Sequence, residues 1–298
     1  MRGKRSLFKR LITDPALGIL ALILYGLFRT MRLSIASALG GGIAKFIGPH
    51  LAIHQHAIEN LRLAFPEKSE SEVATIARGM WNNLGRFLGE CPHLGKMNVY
   101  DPGGSFEVIG AEYIDLLRDD GKPGIFFSGH LANWEIVPLS ATQRGVPIDR
   151  IYRAANNNLI EQLYQHGRSC IEGEMIPKGP KGARQILKSL KEGRHIGILV
   201  DQKMNDGIPV PFFGRDAMTA PALAELALRF NCPVVPTRAE RIKGPHFRII
   251  IEPPLHFTPS GDRKADVFTM MKMVNEKIEH WIRENPEQWF WLHSRWPR

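Results

Sequence analysis

The 298-residue sequence has only three cysteines, at 91, 170 and 232, and no two of them fall at a C-x-x-C spacing. An odd, scattered set excludes a disulfide framework and a cysteine zinc site; it fits a reducing compartment, with each thiol a small core residue. Long apolar runs are equally scarce. The longest, Ala16 to Phe28, covers 13 residues before Arg29 and Arg32 intervene, against the ~20 that a helix needs to cross a hydrocarbon core. That excludes a polytopic membrane protein. Internal repeats and low-complexity tracts are absent, and no RNP, zinc-finger or basic-zipper pattern accompanies the positive charge, so nucleic acid is not an expected partner.

What remains is ordinary globular usage, with 44% hydrophobic and 23% charged residues, in a chain long enough to bury a substantial core. The formal net charge of +9 is unevenly placed: Arg2, Lys4, Arg5, Lys9 and Arg10 all precede the first acid, Asp14. A basic cluster followed by an apolar run suits an anionic membrane surface. Residues 1–40 therefore form a basic N-terminus and membrane anchor, and 41–298 the functional domain. The anchor spans if residues from about 11 to 31 take part and the arginines snorkel; lying in the interface is the alternative. A cleaved signal peptide, suggested by Ala36-Ser37-Ala38, is disfavoured by the arginines between the apolar run and that site.

Helix-period apolar positions mark 50–65 and 69–90, with Pro66 between them and a capping box from Ser69 to Glu72. Beyond Pro102-Gly103-Gly104 the pattern changes. Strands are predicted at 124–128, 148–152, 195–200, 234–239 and 247–252. Helices alternate with them at 134–143, 159–168, 182–192 and 222–230, and a last one covers 266–284 before a Trp-rich tail. The alternation predicts an α/β fold with a central mixed sheet flanked by helices. The tryptophans at 281, 289, 291 and 296 fit packing against that sheet better than an interfacial belt.

One segment concentrates chemistry: Phe126-Phe127-Ser128-Gly129-His130-Leu131-Ala132-Asn133-Trp134-Glu135. An apolar strand ends at Ser128, Gly129 permits a turn, and His130 falls at the mouth of the sheet, where α/β proteins place ligands. On one continuous helix Glu135 would point about 140° away from His130, so the two meet only if His130 lies in the turn and Glu135 in the helix. A carboxylate on one imidazole nitrogen fixes the tautomer and makes the other a general base. By spacing alone, a histidine at a helix N-terminus with an unrelated glutamate is the better fit, since only two residues are fixed.

The block GHLANWE resembles the His-x4-Glu motif of the lipid A late acyltransferases, the lauroyl/myristoyl transferase family within the glycerolipid acyltransferase group. Other blocks agree in order: Asn60-Leu61 with Phe65-Pro66-Glu67; Tyr152-Arg153 followed by Asn157; Leu190-Lys191-Glu192-Gly193 through Asp201-Gln202; Phe212-Phe213-Gly214 with Ala217 and Thr219; and Pro286-Glu287-Gln288-Trp289 through Trp291-Leu292-His293 and Arg295. One departure stands out: Ala154-Ala155-Asn156-Asn157-Asn158 replaces the family's Pro-Asn-Asp-Asn-Pro, so a role for that acidic residue does not carry over.

The resemblance implies a glycerolipid-acyltransferase-like fold and transfer of an acyl chain from an acyl carrier protein thioester to a hydroxyl of an acylated glucosamine disaccharide, in lipopolysaccharide biosynthesis. It implies His130 as general base with Glu135 orienting it, direct attack on the thioester, and no cofactor or metal. Arg153 is a candidate for the oxyanion or a substrate phosphate, Asp201 at a strand end for anchoring Arg153 or bonding the sugar, and Arg168 and Asn157 for substrate contacts. Lys178, Lys181 and Arg184 around two glycines suit a phosphate or a solvated basic turn. The expected location is the bacterial inner membrane, by a single anchor, with the catalytic domain on the cytoplasmic face. A lysophospholipid or phosphatidylinositol mannoside acyltransferase is the nearest alternative. A non-catalytic membrane-bound scaffold is another, and a metallohydrolase built on His50, His54 and His56 a third.

Overall fold

The computed structural model describes residues 14–296, so the basic cluster at 2–10 lies outside the described residues. The apolar run forms α1 (Asp14–Thr30) and the next segment α2 (Leu33–Ile47), with a break at Met31 and Arg32. A 17-residue helix is about 26 Å long, short of the ~30 Å hydrocarbon thickness. Among the described residues no helix is long and apolar enough to cross a membrane, so the spanning form of the anchor is not supported. Residue 40 falls in the middle of α2.

α2 packs on α4 (Glu70–Glu90) with backbones nearly touching. A Cβ on Gly85 would come 2.1 Å from the Gly40 carbonyl oxygen, and one on Gly89 2.3 Å from that of Ala36. Small residues four apart on both helices permit this approach. The Ser69–Glu72 capping box forms as predicted. The helix predicted from residue 50 begins later, as α3 (His54–Ala64), because Pro49 sits in a 3-10 turn that precedes it.

Seven strands form the main sheet in the order β1-β9-β8-β2-β5-β3-β4. They are β1 (Phe106–Ile109), β2 (Ile125–Ser128), β3 (Ile148–Tyr152), β4 (Met175–Pro177), β5 (His195–Leu199), β8 (Val234–Lys243) and β9 (His246–Ile251). All neighbours are parallel except β8 and β9, so the sheet is mixed. A separate hairpin pairs β6 (Ile208–Phe212) with β7 (Arg215–Thr219). The helices α5 (Glu112–Asp119), α6 (Ile136–Thr142), α7 (Asn158–Gly167), α8 (Pro180–Lys191), α9 (Ala222–Phe230) and α10 (Arg263–Glu284) cover it.

Alternation along β2 sends neighbouring phenylalanines to opposite sides. Phe127 joins a core with Met271, Val274, Ile278 and Trp281 of α10, whereas Phe126 joins one with Ile136 and Leu139 of α6. Trp281, Trp289, Trp291 and Trp296 all lie in the α10-side core, each removing roughly 150–250 Å² from water. The three cysteines are free thiols, Cys232 buried and the others half-buried.

Candidate active site

β2 and β5 are neighbours, with Ser128 opposite Leu199. Two residues past that pair on each strand stand His130 and Asp201, brought together across 71 positions of sequence. His130 Nδ1 lies 2.7 Å from Asp201 Oδ1, and the His130 backbone N–H donates to Oδ2 at 2.7 Å. Trp289 Nε1 donates to the same Oδ2, also at 2.7 Å. Full burial alone would push the Asp201 carboxyl up, but the adjacent imidazole and these hydrogen bonds outweigh it, holding the group well below the usual carboxylate range. A carboxylate on Nδ1 makes that nitrogen the donor and leaves Nε2 as the acceptor.

Nε2 is covered by an amide. Gln202 Nε2 lies 3.3 Å from His130 Nε2 and 3.1 Å from His293 Nε2. Burial, reinforced by the neighbouring Lys178 and Arg153 cations, pushes the His293 imidazole down to about 4, so it is neutral near pH 7 and its ring nitrogen accepts. The carboxy-terminal tail holds this cluster in place. Phe290 N–H donates to the His130 carbonyl at 3.1 Å, Ala132 N–H to the Gln288 carbonyl at 2.9 Å, and Leu131 bridges Trp289. Trp134 stacks on Phe87 with ring centroids 4.0 Å apart and meets the His130 ring edge-on at 5.0 Å.

Spacing points to Glu135 as the partner of the imidazole, but that bond goes to Asp201. Glu135 directly precedes α6, and its carboxylate is taken by Arg168, which donates through Nε at 2.7 Å and through Nη2. Arg168 in turn stacks on Tyr164, its guanidinium carbon 3.2 Å from the ring centroid. Both members of the pair are buried. Asp201 accordingly does not anchor Arg153.

Beside His130 lies a cavity of about 220 Å³ that reaches Phe126, Val137 and Ile148 under α6. Arg150, Arg153, Arg168, Lys178 and Glu135 supply its charges, four cations to one carboxylate. Burial pushes the Lys178 ammonium down. Arg153 is exposed at this mouth, and Lys178, which sequence left as a phosphate or solvated turn, joins it. Asn157 is not brought to the cavity. Its Oδ1 caps α7 by accepting from Leu159 N–H at 3.0 Å, and its Nδ2 donates to the Asp14 carbonyl. His54 accepts from Trp81 Nε1 at 3.1 Å, and no cluster of His, Cys, Asp and Glu with metal-holding geometry occurs among the described residues.

Gln202 and His293 stood in the sequence only inside motif blocks, and Trp289 besides only as a tryptophan of the tail. The signal that singles them out is the register of β5 against β2 and the return of the tail across residues 130–132, neither of which is local.

The sequence model of the bacterial lipid A biosynthesis acyltransferases matches residues 5–298. The chain belongs to that family. Among relatives, the lipid A biosynthesis lauroyltransferase of Escherichia coli (strain K12) is 30% identical over 249 residues, 79% of this chain and 76% of the relative. A lipid A biosynthesis acyltransferase of Haemophilus influenzae is 25% identical over 287 residues, covering 93% and 85%. The lipid A biosynthesis myristoyltransferase of E. coli K12 is 23% identical over 241 residues, covering 80% and 73%. The protein is thus an acyltransferase of lipid A biosynthesis, which implies a lipid A precursor as acceptor and association with a membrane.

Proposed function

We propose that this family member transfers a fatty acyl chain from an acyl carrier protein thioester to a hydroxyl of the acylated glucosamine disaccharide, with His130 as general base. The observation that carries the reading is the Asp201–His130 pair at the mouth of a cation-rich cavity. Nε2 takes the proton of the acceptor hydroxyl as its oxygen attacks the thioester carbonyl. The tetrahedral oxyanion collapses, the C–S bond breaks, and the departing thiolate recovers the proton from His130. An ester replaces a thioester, and no acyl-enzyme is needed. Positioned acid–base catalysis of this kind contributes roughly 10²–10⁴-fold.

The Gln202 amide rests on Nε2 and on neutral His293. As the hydroxyl takes its place it turns an N–H onto the oxyanion, where a preorganised donor is worth about 10²–10³-fold. Arg153 and Lys178 hold a phosphate of one substrate at the mouth, and Glu135 keeps Arg168 fixed in the cavity wall.

The anchor reading takes its interfacial form. α1 exposes Leu17, Ile19, Leu20, Ile23 and Leu27, and α2 exposes Ile35, Leu39, Ile43 and Phe46. Two short helices of that kind, preceded by the basic cluster, fit attachment to the cytoplasmic leaflet of the inner membrane without crossing it. Attachment then extends past residue 40 to the end of α2, and the residues beyond that helix serve catalysis.

Mass spectrometry of lipid A from cells with and without the protein tests the reaction. A secondary acyl chain should disappear in its absence and return with wild type but not with His130→Ala. Unchanged lipid A alongside altered phospholipid acylation would move the protein to a different acceptor.

A further inference from the structure

A second cavity, of about 300 Å³, lies between α1, α4 and α7. Ala21, Leu24 and Phe28 line it from α1, Phe87 from α4, and Ile160 and Leu163 from α7. Native interiors are packed to crystal-like density, and an apolar void of this size gives up the contacts of every group around it. Apart from Tyr25 of α1 and the Cys91 thiol, its polar side chains are Glu135, Tyr164 and Arg168. These three form a partition shared with the reaction cavity, since the same residues line both. On its opposite side runs α1, whose outer face is the exposed apolar surface.

We propose that this second cavity is a subsite for an alkyl chain of the lipid acceptor, separate from the cavity beside His130 where the donor's thioester reacts. The inference rests on the reading of His130 as the base of an acyl transfer to a lipid. An acceptor that arrives from a bilayer already carries chains, and one of them must leave the lipid as its hydroxyl approaches Nε2. A chamber charged only at the partition it shares with the reaction cavity, mainly apolar elsewhere and walled by a helix whose outer face is exposed and apolar, matches a chain held by its head at the site. The buried Glu135–Arg168 pair, braced by Tyr164, divides the two chains so that the donor's length and the acceptor's length are sensed in different places.

The test fills the chamber. Ala21→Phe, and Leu163→Phe from the opposite wall, are assayed as purified full-length proteins in mixed detergent micelles. The acceptors are a glucosamine disaccharide with full-length 3-hydroxyacyl chains and one with those chains trimmed beyond the hydroxyl; the donors are acyl carrier protein thioesters of graded length. The preference for full-length over trimmed acceptor, as a ratio of kcat/KM, should fall on the order of 10-fold, which is the scale of lost methylene contacts in an apolar pocket. The ranking of donor lengths should stay as in wild type. An unchanged acceptor ratio in both folded variants overturns the proposal, and a changed donor ranking overturns it in favour of the donor's chain. Wild-type protein that transfers nothing, or His130→Ala protein that still transfers, instead removes the reading of the base on which it stands.

Discussion

Replacing Asp201 by asparagine separates the two carboxylates that compete for the role of orienting His130. In the native site one Asp201 oxygen meets Nδ1 at 2.7 Å while the other is held by the His130 and Trp289 N–H groups. In the proposed mechanism the imidazole becomes a cation beside that carboxylate as the hydroxyl proton arrives. With charge centres about 4 Å apart and an effective dielectric constant of 20, the attraction is about 4 kcal/mol. Losing it slows the chemical step by roughly 10³-fold, because each 1.36 kcal/mol is a factor of ten. The amide can also donate to Nδ1 and so select the wrong tautomer, which adds to the loss. Since the carboxyl of Asp201 is held far below the usual range, no ordinary assay pH reproduces the effect in wild type.

The assay is single-turnover transfer from a radiolabelled thioester, with urea denaturation in parallel to show that the variant is folded. A folded Asp201→Asn protein within tenfold of the wild-type rate would refute the assignment. So would a Glu135→Gln protein with undiminished stability that lost as much rate as Asp201→Asn, for then the glutamate would be the orienting group.

Glu135→Gln is expected instead to cost about 3–5 kcal/mol of folding stability, because it strands the buried Arg168 cation, whereas Glu135→Leu with Arg168→Met should recover part of that loss; urea midpoints measure both. His293 supplies a pH dependence. Its proton affinity falls from the ordinary 6.5 to about 4 on folding, so the unfolded chain binds more protons between those values. The contribution is complete above pH 6.5 and lost as pH falls to 4, at most about 3 kcal/mol, and His293→Asn should lack that component of the slope. Gly85→Ala, whose Cβ would stand 2.1 Å from the Gly40 carbonyl oxygen, should destabilise the protein by about 1–3 kcal/mol, seen as a lower Tm. Gln202→Ala should lower kcat by about 10²–10³-fold with little change in KM, measured in the same transfer assay.

The buried strands were legible because their apolar runs are continuous and bounded by turns, so β3 matches its predicted bounds and β2, β5 and β9 lie within a residue of theirs. What escaped was short or half-exposed. β1 has alternating burial at the sheet edge, β4 has three residues, and the β6–β7 hairpin interleaves prolines with apolar residues. α5 has only eight residues, too few for a periodic signal. In the site, His130 was legible through its place after a strand and a glycine. Its partner was not, because a five-residue spacing suggests contact whereas strand register creates it.

That register has a consequence for the motif itself. His130 and Glu135 sit close in sequence, yet each faces its own partner from another segment: the histidine turns to Asp201 after β5, and the glutamate to Arg168 at the end of α7. The four residues between them include Ala132, in a left-handed conformation with φ 49°, and Asn133, whose Nδ2 donates to the buried Glu90 at 3.0 Å. The chain therefore leaves the strand, is pinned in the turn by Asn133 and by the Gln288 carbonyl, and enters α6 with its two functional side chains already diverging. A spacing of five then keeps base and wall at the same cavity without allowing them to pair. His130 thereby keeps Nε2 on the cavity side, as the proposed mechanism requires, while the Glu135 carboxylate holds the arginine that lines both cavities.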